Sequence, residues 1–253
     1  ALFFFFFYWD SLIYYVHYGQ LTYQQGGFPI MHCLQVGLGL GANYPHLFPL
    51  HQAVTATLFS HWSDFYAQFM APFAGLGSVV ILYYLIVFLV RDKLIAILSV
   101  LAFRAIPYLT SYLIWTSDYS LVVVYTCIFL MFLAFFISKG NLWKLQPLLC
   151  VAAIFPHINY LGWIVWPCAA LAAAVWWIEK KRSPNYLLYI FLSFAAWCGI
   201  ALIWYVRNYI VTGNPVYAFF PEIFGGKNIN LDVLRSCENE WLLHGNGAAL
   251  LGD

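Results

Sequence analysis

Charged side chains are scarce in this chain. Only 8% of its 253 residues are Asp, Glu, Lys or Arg, whereas soluble domains carry about 25%. Hydrophobic residues make up 64% of the sequence and aromatic residues 21%. A soluble fold of this size could not bury so much apolar surface. The composition therefore predicts an all-α polytopic transmembrane helical bundle in contact with the lipid bilayer.

An excess of positive charge is also missing. The formal net charge is +1, and no basic cluster alternates with aromatic residues. This pattern argues against nucleic-acid binding. The 6 cysteines form no CxxC pair and no Cys/His metal spacing, so we expect neither a structural metal site nor a disulfide framework.

The start of the chain lacks the signs of a signal peptide. Residues 1–9 are apolar, with no basic stretch before them and no cleavage site after them. We interpret them as the tail of a first span. Because the chain begins inside an apolar run without Met and stops in a polar stretch, we expect a piece of a longer protein.

Apolar runs of about 20 residues predict transmembrane helices. After the partial span at 1–9, the predicted spans cover 66–90, 94–115, 119–138, 145–158, 161–178 and 186–206. Together, residues 1–206 form one predicted transmembrane module. Within it, 10–64 is interpreted as an external loop with juxtamembrane helices. Residues 207–253 are interpreted as a second external loop, which is truncated.

The basic residues predict the orientation of these spans. Seven of the 11 Lys and Arg residues lie at alternate breaks: 91 and 93, 139 and 144, and 180–182. The positive-inside rule makes that side cytoplasmic. The other side, which we expect to be external, then carries Asp10, Asp118, the turn at 156–160 and everything after Arg207. This orientation requires 47–61 to be a juxtamembrane or re-entrant helix.

Two carboxylates stand at predicted external span ends, Asp10 and Asp118. A charge near the bilayer is costly and usually faces a cavity or a partner. Each Asp could instead cap the helix that follows it, since Asp is a favoured N-cap residue. Both interpretations stay open, because capping leaves one carboxylate oxygen free for other contacts.

Several further polar residues have two interpretations. Arg207 either snorkels to the interface or clamps a phosphate with its planar guanidinium. Arg104 lies in the middle of a predicted span, where it either forms an ion pair or lines a cavity. His157 and Asn159 are typical turn and cap residues, with substrate binding as the alternative, and His17 offers the same choice.

Four stretches, in order along the chain, resemble GT-C-type membrane glycosyltransferases. They are WDSLIYYVHYGQLTYQQGGFP, GANYPHLFPLHQAV, PYLTSYLIWTSDYSLVVVYTCIFL and WYVRNYIVTGNPVYAFFPEIFG. The likeness is to the branch allied to the protein O-mannosyltransferases and the lipid A aminoarabinose transferases. The chain departs from many relatives at Ser117-Asp118-Tyr119, where they carry a Val-Asp pair.

The resemblance implies a seven-span module with an external active site and a polyprenyl-phosphate-linked sugar donor. It implies inverting transfer to an acceptor hydroxyl, with Asp10 and Asp118 as catalytic residues and Arg207 at the donor phosphate. The substrate-binding residues would be Tyr14, His17, Asn43, His157 and Asn208. No cofactor is implied, although help from a divalent cation stays open. The alternatives are a transporter or flippase, with Arg104 on its substrate path, and a non-catalytic membrane scaffold.

Overall fold

A computed structural model describes the structure of residues 17–27, 47–64, 67, 70–107, 118–139, 141–179, 184–216 and 220–225. Helices and turns account for these residues, and no strand occurs among them. The helices are α1 (His17–Gln25), α2 (Leu47–Leu58), α3 (Met70–Val90), α4 (Lys93–Ala105), α5 (Asp118–Lys139), α6 (Leu145–Ile154), α7 (Val165–Glu179), α8 (Pro184–Thr212) and α9 (Pro221–Phe224). The prediction of an all-α fold is confirmed.

Four helical segments are long and apolar enough to cross a membrane. They are Ala71–Val90, Asp118–Ser138, Tyr160–Glu179 and Pro184–Thr212. Only 17% to 33% of their most apolar stretches is buried within the protein. The remaining apolar surface needs lipid around it. The chain is therefore an integral membrane protein, as its composition predicts.

Other helices are shorter than a membrane crossing. Helix α2 has 12 residues and α6 has 10, so they are about 18 Å and 15 Å long. The hydrocarbon core is about 30 Å thick. Helix α6 continues directly into a 3₁₀ turn at Phe155–His157, so its segment stays helical over part of the predicted span 145–158.

Helix α3 packs along α5 through small side chains. Ala71 and Ser78 are fully buried on α3, and Ala74 is buried in one cluster with Leu121 and Val124 of α5. Small residues let two helix backbones approach closely in a membrane. Further along, the rings of Phe88 and Phe135 meet edge to face at 4.7 Å.

The connection from α3 to α4 is a tight hairpin. Arg91 has a positive φ of 63°, and the Asp92 carboxylate accepts hydrogen bonds from the backbone N–H groups of Leu94 and Ile95 at 2.8 and 3.1 Å. Helix α4 then ends at Ala105, before Pro107. Pro disfavours helical conformation in the residue before it. Arg104 thus lies in the last turn of α4, and the predicted span 94–115 continues into residues that the structure does not describe.

A polar network links α6 to α8 inside the bundle. The Gln146 amide nitrogen donates to the hydroxyls of Tyr189 and Ser193, each at 2.8 Å. The Gln146 carbonyl oxygen accepts from the Trp197 indole at 2.8 Å. Gln146 is half-buried, and both ends of its side-chain amide are therefore satisfied within the protein.

The chain divides into two compact units. The first comprises residues 1–29 and 45–203, and the second comprises 30–44 and 204–253. The boundary falls within α8. Helix α8 has 29 residues and is about 43 Å long, which exceeds the thickness of the hydrocarbon core. At least one of its ends therefore projects beyond the apolar region.

Candidate functional site

Asp118 begins α5 and is almost inaccessible, with 1% of its surface exposed. Its Oδ2 accepts a hydrogen bond from the Asn159 side-chain amide at 2.8 Å, and both groups are buried. The Asn159 Oδ1 in turn accepts from the backbone N–H of Leu161 at 2.9 Å. One Asn therefore joins the start of α5 to the turn that precedes α7.

That turn is held tightly by a glycine. A Cβ atom on Gly162 would overlap the backbone of Phe155 and Pro156. The Gly162 N–H also donates to the Asn159 carbonyl oxygen at 2.9 Å. Because no side chain fits at 162, the two 3₁₀ segments can fold closely on each other. This close approach positions Asn159 opposite Asp118.

His157 lies in the same turn. Its Nε2 donates to the Ile200 carbonyl oxygen of α8 at 3.0 Å. A carbonyl oxygen can only accept, so this contact requires the proton to be on Nε2. His157 therefore fastens the turn to α8. The prediction that His157 and Asn159 are turn and cap residues agrees with these contacts.

The surroundings of this turn are apolar. Phe48 of α2, Leu121 of α5 and Ile158 are buried together in one cluster.

Helix α2 also carries His51, whose pKa is lowered by burial. Its neighbour Gln52 is 1% exposed, and its side-chain Oε1 lies close to Gly19 of α1. Helices α1 and α2 thus form a packed pair in which Gly19 provides the necessary space.

The second unit contains the Arg207–Asn208 pair at the C-terminal part of α8. The Arg207 guanidinium lies over the Trp204 ring at 4.6 Å and donates to the Asn208 Oδ1 at 3.0 Å. Asn208 is fully buried, and its amide nitrogen has no hydrogen-bond partner among the described residues. A buried donor without a partner is costly. A buried water molecule would satisfy it.

The Thr-Gly-Asn-Pro stretch ends α8, as its turn signals predict. Gly213 has a φ of 82° and donates to the Tyr209 carbonyl oxygen at 2.8 Å. The Asn214 side chain accepts from the Val216 N–H at 2.9 Å and donates to the Gly225 carbonyl oxygen at 3.0 Å. Asn214 therefore ties the end of α8 to the segment after α9.

Only some of the predicted site residues can be located. Asp10, Tyr14 and Asn43 lie outside the described residues. His17 begins α1, but its side chain is also outside them. In the first unit, Asp118 and His157 belong to one constellation through Asn159. In the second unit, Arg207 contacts Asn208. Within the described part of the chain, no three His, Cys, Asp or Glu side chains gather as metal ligands.

No family model, curated protein or solved structure matches this chain. The resemblance to GT-C-type glycosyltransferases therefore stays a prediction.

The Asp118–Asn159 pair is the contact that the sequence pattern missed. The two residues are 41 positions apart, and each is explained locally by capping. The signal that was present is the spacing of Pro156, Asn159 and Gly162, which is typical of a tight turn between two helical segments. The Gln146 network was missed because a lone Gln in an apolar run carries no periodic signal.

Proposed function

We propose that the chain is a membrane glycosyltransferase. It transfers a sugar from a polyprenyl-phosphate donor to an acceptor hydroxyl on the external face. The observation that supports this most is the half-buried Arg207 guanidinium, which lies over the Trp204 ring at 4.6 Å and is held by the Asn208 Oδ1 at 3.0 Å. Charge-assisted hydrogen bonds from such donors are well suited to a phosphate.

The proposed reaction is an in-line displacement with inversion at the anomeric carbon. The acceptor oxygen forms a bond to that carbon while the bond from carbon to the phosphate oxygen breaks. Asp10 receives the acceptor proton as a general base. The electron pair of the breaking bond remains on polyprenyl phosphate, and Arg207, held by Asn208, stabilises the charge that develops there.

Asp118 receives a positioning role in this proposal. A carboxylate with 1% exposure that already accepts from Asn159 is poorly placed to take a proton from a substrate. It can instead hold the turn that carries His157. His157, Tyr14, His17 and Asn43 then provide contacts to the sugar and the acceptor.

Binding of undecaprenyl phosphate to the full-length protein in detergent tests the phosphate site. Each donated hydrogen bond to a charged group is worth about 1.5–3 kcal/mol. Arg207→Ala should therefore weaken binding about 10- to 100-fold, and Arg207→Lys should weaken it less, since it keeps the charge without the fork. Arg104→Ala is the matched control. Equal affinities for wild type and Arg207→Ala would overturn the phosphate assignment.

A further inference from the structure

A cavity of about 470 Å³ opens at the opposite end of α5 from Asp118. It is lined by Asn141, Leu142, Trp143, Trp176, Asn185, Tyr186 and Tyr189. These residues come from the turn after α5, the last turn of α7 and the first turns of α8. Three membrane-spanning segments reach one boundary here, so the cavity lies where lipid headgroups lie.

The polar groups of the cavity are neutral hydrogen-bond donors. The Tyr189 oxygen accepts from Gln146 at 2.8 Å, which leaves its own hydrogen to be donated to a ligand. The Asn141 Oδ1 accepts from the Trp143 backbone N–H at 3.0 Å, which leaves its amide hydrogens available. Asn185 is exposed and adds a second amide. Among the described residues that line this cavity there is no carboxylate, so these donors suit an anion.

A groove of about 330 Å³ lies between α5 and α7, and Trp176 lines both spaces. Its other lining residues are Leu133, Ile137, Cys168, Leu171, Ala172, Val175 and Glu179. Positions 168 to 179 rise about 16 Å along a helix, which is about half of the hydrocarbon core. The groove therefore has the length and the apolar character for an acyl chain in one leaflet.

The adjoining sequence is basic. Lys139 and Lys144 flank Asn141, and Lys180, Lys181 and Arg182 precede Asn185. Glu179, at the end of the groove, is the one acidic residue in these two loops. Basic residues next to span ends attract anionic lipids, with about 1 kcal/mol from each Lys or Arg near the surface.

We propose that the cavity and the groove together bind one anionic glycerophospholipid. The phosphate accepts hydrogen bonds from Asn141, Asn185 and Tyr189, and one acyl chain lies beside Trp176 in the groove. The site is distinct from the proposed donor-phosphate site, and it does not depend on glycosyl transfer.

Native mass spectrometry of the full-length protein from nanodiscs tests this proposal. The nanodiscs are made of phosphatidylcholine with an increasing fraction of phosphatidylglycerol. The mass spectrum then gives the number and the identity of the lipids that remain bound to the protein. We expect preferential retention of one phosphatidylglycerol. Asn185→Leu should weaken this retention about tenfold, because it removes a donor to a charged group. The exposed position of Asn185 makes the variant compatible with folding.

The double variant Arg91→Gln/Lys93→Gln is the matched control. It removes two basic residues from the α3–α4 hairpin, which contributes no described residue to the cavity lining, and should keep the retained phosphatidylglycerol. A second arm adds undecaprenyl phosphate to distinguish the two lipid-borne phosphates. Displacement of phosphatidylglycerol by undecaprenyl phosphate would overturn the glycerophospholipid assignment. Equal retention of phosphatidylcholine and phosphatidylglycerol would overturn the site, as would unchanged retention in Asn185→Leu.

Discussion

The two ends of α5 use asparagine in contrasting ways. Near the first end, Asn159 is buried, caps a 3₁₀ turn with its oxygen and donates its amide to Asp118. Near the second end, Asn141 is exposed, caps another 3₁₀ turn in the same manner and lines a cavity. Both asparagines cap a turn with the side-chain oxygen. They differ in what the side-chain amide nitrogen contacts, and this contact decides the role of each residue. At one end the Asn159 amide donates to the buried Asp118 carboxylate. At the other end the Asn141 amide is available to a ligand in the cavity.

Gly162→Ala should lower the free energy of unfolding the most, because it adds a methyl group where the two 3₁₀ segments next to Asn159 approach each other closely. The added methyl group meets the backbone of Phe155 and Pro156. Such overpacking costs about 3 kcal/mol at the upper part of its usual range. The measurement is the unfolding transition in detergent micelles. Gly199→Ala is the control, because nothing lies within 4 Å of its added Cβ. Equal transitions for the two variants would show that the turn is not tightly held.

Asn159→Ala compared with Asn141→Ala separates capping from the contact to Asp118. Asn141→Ala loses only a cap, worth about 1 kcal/mol. Asn159→Ala should cost about 2 kcal/mol or more, since it also leaves the buried carboxylate without this donor. A double-mutant cycle with Asp118→Ala should give a coupling above about 0.5 kcal/mol. Additive effects of Asp118→Ala and Asn159→Ala would contradict the described pair.

Gln146→Leu tests whether the two ends are energetically independent. Interhelical hydrogen bonds in membrane proteins average about 0.6 kcal/mol, so losing the bonds to Tyr189, Ser193 and Trp197 should cost between about 1 and 2 kcal/mol. Combined with Asn159→Ala, the two costs should add to within about 0.5 kcal/mol. A larger deviation in the unfolding free energies would mean that the two ends form one cooperative network.

The pH dependence of stability should be the smallest effect, and it involves α2, whose Phe48 is buried in one cluster with Leu121 near the Asp118 end of α5. Burial lowers the pKa of His51 in the folded protein, so the unfolded chain binds the proton more readily. Stability should therefore be lost as the pH falls below about 6.5, the ordinary pKa of His. His51→Gln should reduce this loss in unfolding transitions recorded between neutral and mildly acidic pH. An identical pH profile for wild type and His51→Gln would remove His51 from the explanation.

The coarse fold follows from the sequence because lipid imposes a simple rule. Spans need long apolar stretches, and Asp118, Arg91 and Gly213 mark points where such stretches begin or end. Local chemistry also predicts the cap at Asn159 and the turn after Thr212. These features depend on neighbours within a few residues, so a single sequence contains them.

Contacts between distant positions do not follow in the same way. The Asp118–Asn159 bond and the Gln146 network depend on how helices pack. In an apolar bundle every face is hydrophobic, so periodicity does not show which face meets which. The predicted span 94–115 stays a prediction for a related reason, because α4 ends at Ala105 and residues 108–117 lie outside the described part of the chain.

Release of polyprenyl phosphate from a panel of polyprenyl-phosphate hexoses tests the central claim of glycosyl transfer most directly. The assay uses the full-length protein in nanodiscs, with Asp10→Asn as the variant. Thr126→Ala is the control, since among the described residues its hydroxyl donates within α5, to the Val122 carbonyl oxygen at 2.7 Å. We predict that wild type and Thr126→Ala release polyprenyl phosphate from at least one donor. Asp10→Asn should be slower by about 10²–10⁴-fold, the usual contribution of a general base. Equal rates for Asp10→Asn and wild type, or no release from any donor, would contradict the proposed function.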